Sequence, residues 1–203
     1  MALKNIRYIL ASGSPRRKEI LAAMGIEYEV MAADVCEITD RTRPEEMVME
    51  LSGLKAMAVA DRIDGEEDTV VIGADTLVWH GGRALGKPSG EEEAFRMLRS
   101  LSGESHSVYT GVTLICISEG KRYRESFYDR SIVKVRDMTD EEIREYIASG
   151  EPMDKAGAYA IQGIFSKYIE DLKGSFDNVV GLPSEKLSER LKMLKEEERY
   201  GTV

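Results

Sequence analysis

Apolar positions recur along the chain with two periods, and their alternation predicts strands interleaved with helices. Ile6 to Ala11 is an apolar run that stops at Ser12-Gly13-Ser14-Pro15, after which Ile20, Leu21 and Met24 return at helical spacing until Gly25. This predicts a strand-to-helix corner with Ser14 as N-cap and Pro15 at the first helical position. Glu27 to Ala32 reads as a short strand, and Thr42-Arg43-Pro44-Glu45 as a capping box before a helix with Met47, Leu51, Leu54 and Ala58 inward. Thr69 to Ile72 is β-branched and apolar, as in a strand buried on both faces, and it runs into Gly73-Ala74-Asp75-Thr76. His80-Gly81-Gly82-Arg83 predicts a tight turn, and Ser89-Gly90-Glu91-Glu92 a second capping box, leading a helix with Ala94, Phe95, Leu98 and Leu101 inward.

Ser107 to Ile117 and Tyr123 to Val135 predict two long strands of a hairpin about Ser118-Glu119-Gly120-Lys121. Thr139-Asp140-Glu141-Glu142 then caps a helix carrying Ile143, Tyr146 and Ile147, which Gly150 stops. The loop Gly174 to Pro183 feeds a last helix with Leu187, Leu191 and Leu194 inward, and the charged end, Lys195 to Val203, is expected to fray. The sum is an α/β chain without internal repeats or a long linker, suited to one domain, 1–203, or two closely joined lobes.

Composition narrows the function. Hydrophobic residues make up 42% of 203, enough for a full core without staples. A net charge of −9 disfavours a nucleic-acid or anionic-membrane binder, so any phosphate site must be locally basic. Cys36 and Cys116 form no C-x-x-C motif, and reduced thiols in a cytoplasmic protein are the expected state. No apolar stretch approaches a membrane span.

The candidate chemistry lies at the corners. Ser12, Ser14, Arg16 and Arg17 stand where a helix N-terminus aims free N–H groups, a credible phosphate cradle or simply a capped helix with two solvated arginines. Lys55 flanks the stripe of its helix, either reaching a cleft or solvated. Asp75 is expected at the carboxyl end of its strand, where ligands collect in open α/β sheets, with a turn-forming Asp as the alternative. Lys87 sits on a constrained Gly-Lys-Pro loop, and Lys155 and Gln162 in the small-residue stretch Asp154 to Gly163. With only His80 and His106 there is no H-E-x-x-H zinc site, and neither a G-x-S-x-G elbow nor a Walker loop occurs. What remains is carboxylates for a hard cation and Lys and Arg for phosphates, a pairing that suits phosphoryl or nucleotidyl chemistry.

Ser12-Gly-Ser-Pro-Arg-Arg, Gly73-Ala-Asp-Thr, Leu85-Gly-Lys-Pro, His106-Ser-Val-Tyr-Thr-Gly, Asp154 to Gly163 and Asn178-Val-Val-Gly-Leu-Pro, in this order, resemble the Maf family of nucleoside triphosphate pyrophosphatases. The resemblance implies an elongated mixed-sheet α/β fold with two lobes around a central cleft, similar to the inosine triphosphate pyrophosphatases. It implies hydrolysis of a nucleoside triphosphate to the monophosphate and pyrophosphate with magnesium or manganese, and homodimerisation. By position, Asp75 matches the catalytic acid/base, Glu37 the second metal carboxylate, and Arg17, Lys55, Lys87 and Lys155 the phosphate-handling cations. Arg16, Thr76 and Gln162 match the branch acting on dTTP and UTP rather than the 7-methyl-GTP branch. Cys36, beside Glu37, departs from the polar or acidic residue expected there. A non-catalytic nucleotide-binding regulator of cell division and a 7-methyl-GTP-type pyrophosphatase are the rival readings.

Overall fold

The computed structural model describes residues 6–64 and 67–200. The elements are β1 (Arg7–Leu10), α1 (Pro15–Ala23), β2 (Tyr28–Val30), α2 (Pro44–Ala60), β3 (Thr69–His80), β4 (Arg83–Leu85), α3 (Glu91–Leu101), β5 (Ser105–Ser118), β6 (Lys121–Val135), α4 (Asp140–Ala148), β7 (Ile169–Lys173), α5 (Phe176–Val180) and α6 (Ser184–Tyr200). They form a mixed seven-stranded sheet in the order β2-β1-β3-β5-β6-β7, with β4 on β3. This is the mixed-sheet α/β class expected. The chain divides into two compact units, one of Met1–Asp75, Thr110–Asp129 and Gly181–Val203, the other of Thr76–Tyr109 and Arg130–Val180. Among the described residues, no helix is long and apolar enough to cross a membrane.

In the first unit β1 lies parallel to both neighbours, Tyr8 opposite Tyr28 and Leu10 opposite Ile72. The joint between α2 and the sheet sets everything that follows. A Cβ on Gly73 of β3 would stand 2.3 Å from the Ser52 carbonyl oxygen, and one on Gly111 of β5 would stand 2.3 Å from that of Val48. The helix backbone therefore rests directly on two glycines, an approach that any larger residue would forbid. Ile9, Ala11, Ala56, Val59, Val71, Ile115 and Ile117 close the core around this contact.

That contact displaces the predicted helix face. Met47, Leu51 and Ala58 are only half-buried and Leu54 is exposed, whereas Val48, Ser52, Lys55, Ala56 and Val59 are buried. Small residues win the inner face because the backbone must come close, and they draw Lys55 inward with them. The capping boxes expected at Thr42 and Ser89 do not form either, since Arg43 and Gly90 are the N-cap residues and neither makes a side-chain cap bond. The box at Thr139 does form, with Glu142 N donating to Thr139 Oγ1 at 3.2 Å and Thr139 N to Glu142 Oε2 at 2.9 Å.

β3 does not stop at Ile72. It continues through Leu77, Val78 and Trp79, whose return as an apolar run pairs with β4, so Asp75 lies mid-strand rather than at a carboxyl end. Glu119 and Gly120, both at positive φ, turn β5 into β6 as predicted. β7, Ile-Glu-Asp-Leu-Lys, carries too weak a pattern to be read from sequence, and α5 occupies part of the predicted loop before α6. Leu187, Leu191 and Leu194 of α6 are buried as expected, and the helix passes Lys195 to Tyr200; the rest of the predicted frayed end, 201–203, lies outside the described residues. In the second unit Tyr146, Tyr159, Phe165 and Tyr168 form an aromatic core with ring centroids 4.8–5.3 Å apart along Tyr159–Phe165, Phe165–Tyr146 and Phe165–Tyr168.

Candidate active site

Side chains alternate across a strand, so Gly73 and Asp75 face the same way, toward α2. Lys55 follows Ser52 by one helical turn and precedes Ala56, the two residues that touch Gly73. Its ammonium consequently meets Asp75, with Nζ donating to Oδ1 at 2.7 Å. The same Nζ lies 3.1 Å from Glu37 Oε1, contributed by the irregular segment 31–43. Lys55 and Asp75 side chains are only 11% and 10% exposed, whereas Glu37 is 58% exposed. One buried ammonium thus gathers a buried carboxylate and a solvated one.

The β1–α1 corner adds two guanidinium groups. Arg17 Nη1 donates to Ser12 Oγ at 3.0 Å, and its Nε donates to the Gly181 carbonyl at 2.8 Å, which ties the corner to the approach of α6. Ser14 precedes the helix as expected, but its side chain makes no cap bond; instead its N–H donates to Ser12 Oγ at 3.3 Å. Burial pushes the Arg17 pKa below its ordinary value, the carboxylates of Asp75 and Glu37 oppose that fall, and Arg16 reinforces it. Arg16, Arg17, Glu37, Lys55 and Asp75 therefore share one electrostatic neighbourhood, in which three cations face two carboxylates. The overall charge of −9 conceals this local excess. The role of Gly181 carried no signal in the sequence, because a carbonyl acceptor has no residue-type signature.

The remaining candidates belong to the second unit. Gly157 N donates to the Gly86 carbonyl at 3.0 Å, which brings the loop of Lys87 against that of Lys155. Gly157 must be glycine here: its φ is +69°, and a Cβ would lie 3.0 Å from both methyl carbons of Val78. Lys87 is exposed, and Lys155, 16% exposed at its side chain, pairs with Asp154. Thr76 is half-buried on β3, and Gln162 is exposed at a bend, so its amide is open rather than buried.

Glu37 and Asp75, both in contact with the Lys55 ammonium, are the carboxylates that could hold a divalent cation. Their oxygens converge on one ammonium, so they lie no farther apart than those two contacts span, and Glu37 is free to adjust at the surface. Among the described residues no group of three or more His, Cys, Asp or Glu could hold a metal. Two carboxylates completed by water and phosphate oxygens is the donor set magnesium commonly takes.

A mixed α/β sheet that presents arginines and a lysine beside paired carboxylates defines a class of protein suited to phosphate esters. More narrowly, the chain belongs to the Maf-like protein family, whose family model matches residues 7–194. It is 48% identical over 185 residues to a dTTP/UTP pyrophosphatase of Lachnoclostridium phytofermentans, covering 91% of this chain and 93% of that protein. It is 50% identical over 191 residues to a dTTP/UTP pyrophosphatase of Caldicellulosiruptor bescii, covering 93% and 94%. A Bacillus cereus protein of the same name is 46% identical over 187 residues, covering 92% and 94%.

Proposed function

We propose that this protein hydrolyses dTTP and UTP to the nucleoside monophosphate and pyrophosphate. The observation that carries the reading is Lys55 Nζ between Asp75 and Glu37, at 2.7 and 3.1 Å, beside the Ser12–Arg17 corner. Pure binding of an anion would not place a buried carboxylate there, since it repels phosphate and costs desolvation. A carboxylate in that position can take a proton from water or hold a cation.

Asp75, fixed by Lys55, accepts the proton of the attacking water or holds the cation, and Glu37 supplies the second carboxylate. Magnesium or manganese, when bound by these two groups, supplies Lewis-acid polarisation of the phosphoryl oxygens and a lower pKa for water. Arg16, Arg17 and the hydroxyls of Ser12 and Ser14 orient the phosphates through fork-like N–H pairs and O–H donors. Lys87 and Lys155 neutralise charge that grows on the departing pyrophosphate, where fixed cations act most strongly on rate. No covalent intermediate with the protein is required.

Thr76 and Gln162 determine the base. A uracil-type edge presents acceptor, donor and acceptor, and the Gln162 amide can both donate and accept. Because Gln162 is exposed, the bond must exclude water when the base arrives, and a mismatched edge forfeits about 1–3 kcal/mol. The test is pyrophosphate release from dTTP, UTP, CTP, dGTP and 7-methyl-GTP under identical magnesium or manganese. Preference for dTTP and UTP supports the reading. Preference for either guanine nucleotide refutes the pyrimidine assignment, and no release from any of them refutes the activity.

A further inference from the structure

Gln162 stands at the top of a short bend whose two feet are held from outside. On one side Ala160 N donates to Tyr146 Oη at 3.3 Å; on the other Ile164 N donates to Glu151 Oε1 at 3.3 Å. Just before and just after these bonds, Tyr159 and Phe165 pack ring against ring at 4.8 Å, and Tyr159 Oη also meets His106 Nε2 at 2.6 Å. Tyr159, Ala160 and Phe165 are buried, whereas residues 162–164 are exposed. The bend is therefore fixed at its base and open at its tip.

Glu151 and Tyr146 act together. The Tyr146 pKa is raised, chiefly by burial and further by the Glu151 carboxylate, while its bond from Ala160 N works the other way. Gly163 completes the device: its φ is +92°, and a Cβ would lie 2.1 Å from Glu151 Oε1. The carboxylate thus occupies the space a side chain would take, and it meets the next backbone N–H. None of these groups belongs to the Lys55, Asp75 and Glu37 cluster, and an exposed position such as Gln162 gains no rigidity from burial of its own side chain.

We propose that Glu151 and Tyr146 are positioning residues that set the pose of the Gln162 amide and through it the preference for a uracil-type edge. This rests on the reading of Gln162 as the base-reading group. An amide free to swing can meet cytosine as well as thymine, so loosening either foot should cost discrimination and ground-state binding more than turnover.

Steady-state kinetics with dTTP and CTP test this in Glu151→Ala, Glu151→Gln, Tyr146→Phe, Gln162→Ala and the Glu151→Ala/Gln162→Ala double variant, with thermal melts as a check of folding. Glu151→Ala and Tyr146→Phe are each expected to raise KM for dTTP and to narrow the dTTP-to-CTP ratio of kcat/KM by about tenfold, with kcat within about twofold. Glu151→Gln, which keeps an oxygen acceptor, should restore most of the ratio. The double variant should be no less selective than Gln162→Ala alone, as expected for residues acting through one group. If Gln162→Ala narrows the ratio while Glu151→Ala and Tyr146→Phe leave it intact, the positioning role is overturned and the amide reading stands. A ratio unchanged by Gln162→Ala itself removes the amide reading and the positioning role with it. Further loss in the double variant would show Glu151 acting by another route and would overturn the proposal.

Discussion

Replacing Asp75 by Asn separates chemistry from stability more sharply than any other single change. Asn has nearly the same shape and keeps an oxygen where Asp75 Oδ1 accepts from Lys55 Nζ at 2.7 Å. What disappears is the charge, and Lys55 then retains only Glu37, 3.1 Å away and 58% exposed. Removing one partner of a buried ion pair outright costs about 3–5 kcal/mol. Here an acceptor remains and Glu37 offsets part of the loss, so about 1.5–3 kcal/mol is expected, the range of a hydrogen bond to a charged group. For a chain of 203 residues this lowers Tm by a few degrees to about 10 °C. The rate should fall far more, by about 10²–10⁴-fold, if Asp75 takes the proton or holds the cation. Thermal melting and pyrophosphate release from dTTP, measured on one preparation, distinguish the two effects. A folded Asp75→Asn variant with near-normal kcat would refute the role of this carboxylate.

Gly73→Ala should destabilise by about 1–3 kcal/mol in denaturant melts and also lower kcat, because a Cβ 2.3 Å from the Ser52 carbonyl must lift the helix that carries Lys55. Lys87→Ala and Lys155→Ala should lower kcat for dTTP more than they raise KM; a rise in KM alone would make these lysines ground-state binders. His106 is buried with its Nδ1 unpartnered, and burial, assisted by His80, lowers its pKa from 6.5 to about 3. The unfolded chain therefore binds the extra proton between those values, and stability present above pH 6.5 is lost as pH falls toward 3. About 2 kcal/mol should disappear between pH 7 and pH 5 in chemical melts, and His106→Gln should flatten that slope.

The candidate corner was readable because it depends on residue types where a strand gives way to a helix. Ser12, Ser14 and Arg17 fall where the end of an apolar run meets a proline at N1, and the structure puts a helix start there. Lys55 was ambiguous for a physical reason. Hydrophobicity assigns α2 a face through Met47, Leu51 and Leu54, but a close helix–sheet contact selects small residues, and the buried side runs through Ser52, Lys55 and Ala56. The contact is made by backbone atoms of one segment against glycines of two others, a pairing that no single segment displays. The length of β3 was hidden similarly, since Gly73 and Asp75 read as the end of a strand when they are the part of it that meets the helix.

That contact also explains why an acid of this kind lies in a strand and not in a loop. Asp75 at 7% exposure would be costly alone, and it is tolerated because the helix that covers it brings a cation within 2.7 Å. The position of the cation is set in turn by Gly73, two residues earlier on the same face, where the backbone of α2 rests. Moving Lys55 by one helical position would rotate its side chain by about 100°, away from the strand, and leave the carboxylate buried without a partner. The charge pair and the glycine contact are thus one structural decision. Glu37 shows the contrast: it comes from an irregular segment, stays largely exposed, and can exchange its ammonium contact for a cation or solvent at little cost. In the proposed mechanism, the buried carboxylate is held in place by the fold before a triphosphate arrives, and the exposed one can adjust once it does.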